Sequence, residues 1–163
     1  MTDMRDVCFT AIWGLMERDE LVTIITVDLG AFVLDELARA YPDRIINAGI
    51  SEQLAVSLAA GMSIGGKKPY IYGISGILIR RALAQITQDV GANNLNVVIL
   101  GLGAGKSFRT DGISHCCEND EDEKIMQTVP NMHIDTPSDT RTMQRAVALA
   151  YERNGPTYIR FDK

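Results

Sequence analysis

The sequence predicts a doubly wound α/β fold: a mostly parallel six-stranded sheet with helices on both faces. Three observations predict it. Short apolar, β-branched runs recur six times along 163 residues, helical patterns separate them, and turn residues fall at the joints between the two. Strands that alternate with helices throughout a chain are the mark of right-handed crossovers, because parallel neighbours can be joined only by an element long enough to run back along the sheet.

Taken in order, residues 3–18 place Met4, Val7, Cys8, Ile12, Leu15 and Met16 three or four apart, which gives a helix with one apolar face. Residues 22–27 form a β-branched run that closes on Asp28 as the first strand. A helical pattern over 31–41 leads to a second, short strand at 44–47. The next helix, 51–64, is rich in small residues from Ala55 to Gly61, which suit close packing against another backbone, and Gly65-Gly66 ends it. A strand at 69–72, a helix over 76–90, a strand at 96–100, a helix over 118–128 and a strand at 132–135 follow. Pro137-Ser138 opens the last helix, 139–153, with Ser138 as its N-cap, and Gly155-Pro156 stops it before the sixth strand, 157–161. All six strands read as buried. A hydrophobic fraction of 46% is enough to fill the core of one domain spanning 1–163.

A formal charge of -5 argues against a nucleic-acid or anionic-lipid partner, since either needs a basic face whose counterions can be displaced. No apolar stretch approaches the ~18 residues of a membrane span, and the start mixes acids into its apolar pattern instead of showing a basic leader. Cys8, Cys116 and Cys117 make an odd number without metal-like spacing, which fits reduced thiols and a cytoplasmic setting. Small molecules or other proteins are the expected partners.

In such sheets ligands bind outside the carboxyl ends of the strands, so the segments 47–53, 73–79 and 101–118 are where chemistry is expected. The stretch Gly101-Leu102-Gly103-Ala104-Gly105-Lys106-Ser107 has the composition of a phosphate cradle but not its spacing. A Walker loop ending in Lys106-Ser107 needs glycine where Leu100 stands, and a dinucleotide fingerprint needs glycine where Lys106 stands. It reads as a glycine loop at a strand end. Glu52 opens a helix, where a carboxylate gains about 0.3–1 kcal/mol from the helix dipole without any further role. His115, beside Cys116, Cys117 and Glu118, reads as a loop histidine, a proton-transfer group or a metal ligand, although adjacent residues converge poorly on one zinc ion. His133 lies in an apolar strand pattern and reads as structural. Arg80-Arg81 reads as a solvated helix face, with anion contact as the second reading.

The ordered set of segments resembles the central, pyrimidine-binding domain of transketolases and 1-deoxyxylulose-5-phosphate synthases over almost the whole chain. The resemblance rests on Val27-Asp28-Leu29, on Tyr41-Pro42-Asp43-Arg44-Ile45-Ile46-Asn47-Ala48-Gly49-Ile50-Ser51-Glu52-Gln53, on Ala59-Ala60-Gly61, and on Lys68-Pro69. It continues through 85–90, Asn94-Leu95-Asn96-Val97-Val98, Asp111-Gly112-Ile113-Ser114-His115, Val129-Pro130-Asn131-Met132, Pro137-Ser138-Asp139 and Gly155-Pro156-Thr157-Tyr158-Ile159-Arg160. It implies that Glu52 hydrogen-bonds N1′ of the aminopyrimidine of thiamine diphosphate and favours the imino tautomer, whose N4′ takes the proton from thiazolium C2. Such a role suits a carboxyl buried against an aromatic ring, where desolvation disfavours its charged form.

The same resemblance implies substrate contacts for Asp111 and proton exchange with substrate for His115. It places Ile77, with Ile74 beside it, where transketolases stack an aromatic residue on the pyrimidine, and Gly103 where they carry a histidine for the sugar phosphate. The family also holds Mg²⁺ and diphosphate through a Gly-Asp-Gly turn, which this sequence lacks. The expectation is therefore a transketolase-like subunit that meets a separate diphosphate- and Mg²⁺-binding subunit, in a two-plus-two assembly, for ketol transfer. Its alternatives are the pyrimidine-binding subunit of a 2-oxo acid decarboxylase or dehydrogenase, and a non-catalytic module of the same fold. With Lys163 close behind the sixth predicted strand, the expectation is a subunit without the third domain usual in the family.

Overall fold

The computed structural model describes residues 3–103, 108, 115, 117 and 120–162. Six strands, β1 Val22–Thr26, β2 Ile45–Asn47, β3 Lys68–Ile74, β4 Val98–Leu102, β5 His133–Asp135 and β6 Thr157–Phe161, pair in the order β2-β1-β3-β4-β6-β5. Every pairing is parallel, with Ile24 opposite Tyr70, Ile71 opposite Ile99 and Leu100 opposite Ile159. The sheet expected to be mostly parallel is thus wholly so.

Side-chain alternation divides the core. Ile24, Tyr72, Leu100 and Ile159 point into one layer with Phe9 and Ile12 of α1 Met4–Met16, Leu34 of α2 Phe32–Ala40 and Val147 of α6 Thr140–Glu152. Their neighbours Ile25, Ile71, Ile99 and Tyr158 point into the other, against Val56 of α3 Glu52–Ile64, Ile79 of α4 Ser75–Gln85 and Met126 of α5 Glu121–Met126. The chain winds from β1 out to β2, then crosses back over β1 to β3. The winding direction reverses between β1 and β3, the position at which doubly wound sheets open a crevice at their carboxyl ends.

Several details differ from the sequence pattern, four of them with a bearing on packing or capping. The interior strands are buried, but β2 and β5 are part-exposed, because an edge strand has a neighbour on one side only. Strand β4 takes in Gly101, where any Cβ would sit 2.6 Å from Cε2 of Tyr158 on the adjacent strand; this glycine makes room for a ring. The helix expected over 76–90 is α-helical only to Gln85, with Ala82 out of helical geometry at φ −113° and ψ 15°, and continues as a π turn, Ile86–Gly91. The N-cap of α6 is Asp139, not Ser138. Asp139 Oδ1 accepts the Thr142 N–H at 2.8 Å while Thr142 Oγ1 accepts the Asp139 N–H at 3.0 Å, a reciprocal box that only Asp139 can close with a hydroxyl three residues on. Among the described residues no helix is long and apolar enough to cross a membrane.

Candidate active site at the start of α3

Glu52 is delivered by a short connection whose backbone is set by Asn47. The Oδ1 of Asn47 accepts the Asp28 N–H at 3.1 Å and the Gly49 N–H at 2.9 Å, fastening the turns after β1 and β2 to each other. Both of those residues have left-handed backbones, at φ 57° for Asp28 and 69° for Gly49, which glycine adopts freely and aspartate tolerates. The Ala48 N–H bonds the Thr26 carbonyl at 2.9 Å, and the chain enters α3 with Ser51 at the cap position, where its hydroxyl makes no capping bond. Glu52 is the first residue of the helix, and its side chain is only 7% exposed.

A buried carboxylate needs a partner, and Arg81 supplies it. Its Nη1 donates to Glu52 Oε1 at 3.0 Å and to Oε2 at 3.1 Å, so one nitrogen spans both oxygens. The preceding residue, Arg80, pairs with Glu121 at 2.6 Å. The Arg80-Arg81 pair is therefore no merely solvated face. Each arginine has a carboxylate partner, and from one turn of α4 they reach toward α3 and α5. A recess of about 430 Å³ opens beside Glu52, lined by Ile50, Ser51, Gln53, Leu54 and Arg81. Ile50 and Leu54 are exposed large apolar residues at its edge.

The other residues expected at the site lie at the same end of the sheet or follow β4. Ile74 ends β3 and Ile77 lies in the first turn of α4; both are part-exposed, and Ile77, four residues before Arg81, shares its side of the helix. His115 is part-buried, its ring 6.3 Å from that of Phe108 and tilted by 51°. Phe108 also lies against Gly103, whose φ is +78° and where an added Cβ would collide with the ring. A side chain at 103 would need both a left-handed backbone and a displaced Phe108. Asp111 lies outside the described residues.

A second carboxylate cluster has no counterpart in the sequence pattern. Asp122, in the first turn of α5, is fully buried and accepts the Tyr158 hydroxyl at 2.7 Å and Arg160 Nε at 2.9 Å. Arg160 also reaches Asp120 at 2.9 Å and Glu123 at 3.5 Å. Burial, with the Asp122 charge next in weight, holds the Tyr158 phenol well above its ordinary pKa, so it stays a donor. The one sequence cue was Gly101, whose missing side chain admits the Tyr158 ring. His133 is exposed at the start of edge strand β5, not buried. Cys8 and Cys117 are free thiols; burial pushes Cys8 up to about 12 and Cys117 above its ordinary value, which keeps both protonated.

Chemically, a nearly buried carboxylate opening on an apolar-edged recess can hold one hydrogen-bonding edge of a planar heterocycle while side chains such as Ile50 and Leu54 cover its flank. These residues fit an aminopyrimidine.

Residues 1–163 match the model of the transketolase pyrimidine-binding domain. The chain is 31% identical over 147 residues to a subunit of the apulose-4-phosphate transketolase of Phocaeicola vulgatus, which covers 90% of this chain and 46% of that protein. It is 35% identical over 148 residues to the 1-deoxy-D-xylulose-5-phosphate synthase of Frankia casuarinae, covering 90% and 22%. Among solved structures, a split-gene transketolase described as an inactive beta4 tetramer superposes with a TM-score of 0.85 at 31% identity, over 98% of this chain and 51% of that one. The transketolase of Leishmania mexicana, at 20% identity, shares the fold with a TM-score of 0.80 over 96% of this chain and 24% of its own. The chain thus spans about half the length, or less, of these relatives.

Proposed function

From a chain that belongs to the transketolase pyrimidine-binding domain family, we propose a subunit function: the aminopyrimidine-binding half of a thiamine diphosphate site for ketol transfer, with Glu52 as its activating acid. The observation that carries this is the Glu52 carboxylate, buried in the first turn of α3 and opening on an apolar-edged recess. When bound, thiamine diphosphate supplies the electron sink that lets a ketose carbon–carbon bond be broken and remade. Glu52 holds the ring nitrogen and shares a proton with it. Ile50, Leu54, Ile74 and Ile77 cover apolar faces and exclude water from that proton. His115 exchanges a proton with a substrate hydroxyl or carbonyl, and Asp111 binds a hydroxyl. With Gly103 left-handed and packed on Phe108, no side chain at that position contacts a sugar phosphate.

Diphosphate and Mg²⁺ belong, in this reading, to a separate subunit, two copies of which join two of this chain. The solved split-gene relative, called an inactive beta4 tetramer, is consistent with subunits of this kind needing a partner for activity. The free thiols Cys8 and Cys117 fit the reducing cytoplasm as the place of work. The test is reconstitution. Mixed with the diphosphate-binding subunit, thiamine diphosphate and Mg²⁺, the chain turns over ketose donors, and Glu52→Gln keeps the fold while losing turnover. Near-normal turnover of that variant overturns the assignment of Glu52, and turnover of 2-oxo acids but not ketoses overturns ketol transfer.

A further inference from the structure

We propose that Arg81 is an exchangeable counter-ion of Glu52: it holds the carboxylate while the aminopyrimidine is absent and withdraws as the ring nitrogen arrives. The proposal rests on the assignment of Glu52 to that ring. Its first support is the geometry of the pair. Because Nη1 alone lies 3.0 and 3.1 Å from the two oxygens, any oxygen that turns to a ring nitrogen must give up part of this contact. The second is the difference in solvent between the partners. Glu52 is 7% exposed and Arg81 55%, so the guanidinium can return to water at little cost while the carboxylate cannot.

The third support is location. Arg81 lines the same recess as Ile50, Ser51, Gln53 and Leu54, so a ring docking on Glu52 meets the guanidinium on its way in. The backbone leaves helical geometry at the very next residue, Ala82, so Arg81 ends the regular run of α4. Arg81 thus acts as a positioning residue: it keeps the buried carboxylate in place for the ring, and it sets part of the cost of cofactor binding. Since one nitrogen makes both bonds, a lysine ammonium can serve the same purpose where a fork is not required.

The test is a double-mutant cycle on the assembled complex, with thiamine diphosphate titrated calorimetrically into wild type, R81A, E52Q and R81A/E52Q. R81A is expected to bind the cofactor about 3- to 10-fold more tightly, the range of one partly exposed ion pair removed from the free state. In the E52Q background the same substitution changes affinity by less than about twofold, and R81K returns it toward wild type. Unchanged or weaker binding in R81A, or equal tightening in both backgrounds, overturns the proposal. If R81A fails to assemble, R81Q carries the same expectation. Urea denaturation of the isolated chain gives a cofactor-free arm, in which R81A is destabilising only while Glu52 is present. Loss of that coupling overturns the counter-ion itself. Full turnover of E52Q overturns the assignment of Glu52 and leaves the coupling standing.

Discussion

Glu52 and Asp122 are chemically alike and physically opposed. Each is a carboxylate in the first turn of a helix, each is buried, and each is paired with an arginine. What separates them is the cation. Arg160 is 12% exposed and fixed by Asp120, Asp122 and Glu123 together, with the Tyr158 hydroxyl closing the cluster, whereas Arg81 is 55% exposed and is bonded to Glu52 by a single nitrogen. Burial of the anion is common to both, so it cannot mark function. A carboxylate whose partner can leave for water is free to exchange that partner for a ligand; one whose partner is itself enclosed is structural. Asp122 and Arg160 pin α5 to β6, at the far end of the segment that carries His115, while Glu52 waits at an open recess.

The contrast can be broken most sharply at Glu52. Glu52→Gln should lower turnover of the reconstituted enzyme by about 10²-fold or more, the scale of a lost proton-transfer group, while urea denaturation of the free chain shifts little. A variant that unfolds instead would place Glu52 with Asp122 among the structural carboxylates. The next largest effect is expected at Asp122. Asp122→Ala removes the acceptor of the buried Tyr158 hydroxyl and of Arg160 Nε, while Asp120 and Glu123 still hold Nη1 of that arginine, and should cost about 2–3 kcal/mol in urea denaturation. A loss below about 1 kcal/mol would mean that water replaces the carboxylate there as easily as at the recess. Arg81→Ala falls between an exposed and a buried pair, at about 0.7–1.4 kcal/mol in the free chain, and its stability relative to Asp122→Ala measures how far cation exposure separates the two sites.

The sequence made one of these carboxylates visible and hid the other, for a physical reason. Glu52 follows a turn, opens a small-residue helix and sits in a motif, so a linear pattern marks it. Asp122 lies in the acid run from Asp120 to Glu123, which looks solvated, and only the register of β4 against β6 brings Tyr158 and Arg160 onto it. The arginines of α4 were hidden likewise. Adjacent charges read as a wet face until α3 and α5 are placed on either side of them. Strands and helices were legible because burial imposes a period, and the strand at 157–161 has the limits the pattern predicts. Edge position is not periodic, so the apolar pattern of β2 and β5 looks buried although both strands are part-exposed. The break of α4 at Ala82 has no cue at all in the residues around it.

A third carboxylate, at the opposite end of the sheet, gives the smallest and finest test. Asp19 Oδ2 accepts Lys68 Nζ and the Tyr151 hydroxyl, each at 2.9 Å, and its Oδ1 accepts the Leu21 N–H at 2.9 Å, so all its contacts are satisfied within the chain. The Lys68 ammonium bonded to it is the main reason its pKa falls to about 2. A carboxylate with a lowered folded pKa contributes stability that is fully present above its unfolded value, about 4, and is lost as pH falls through the folded value. The stability difference between wild type and Asp19→Asn in urea should therefore be constant from neutrality down to pH about 4, then shrink by about 1 kcal/mol toward pH about 2, a figure reduced for solvent screening. A difference that stays level across that window would mean that Asp19 is held no more tightly folded than unfolded. Exposure of the cation would then fail to grade these pairs, since Lys68 is less exposed than Arg81 and should hold its carboxylate the more firmly of the two.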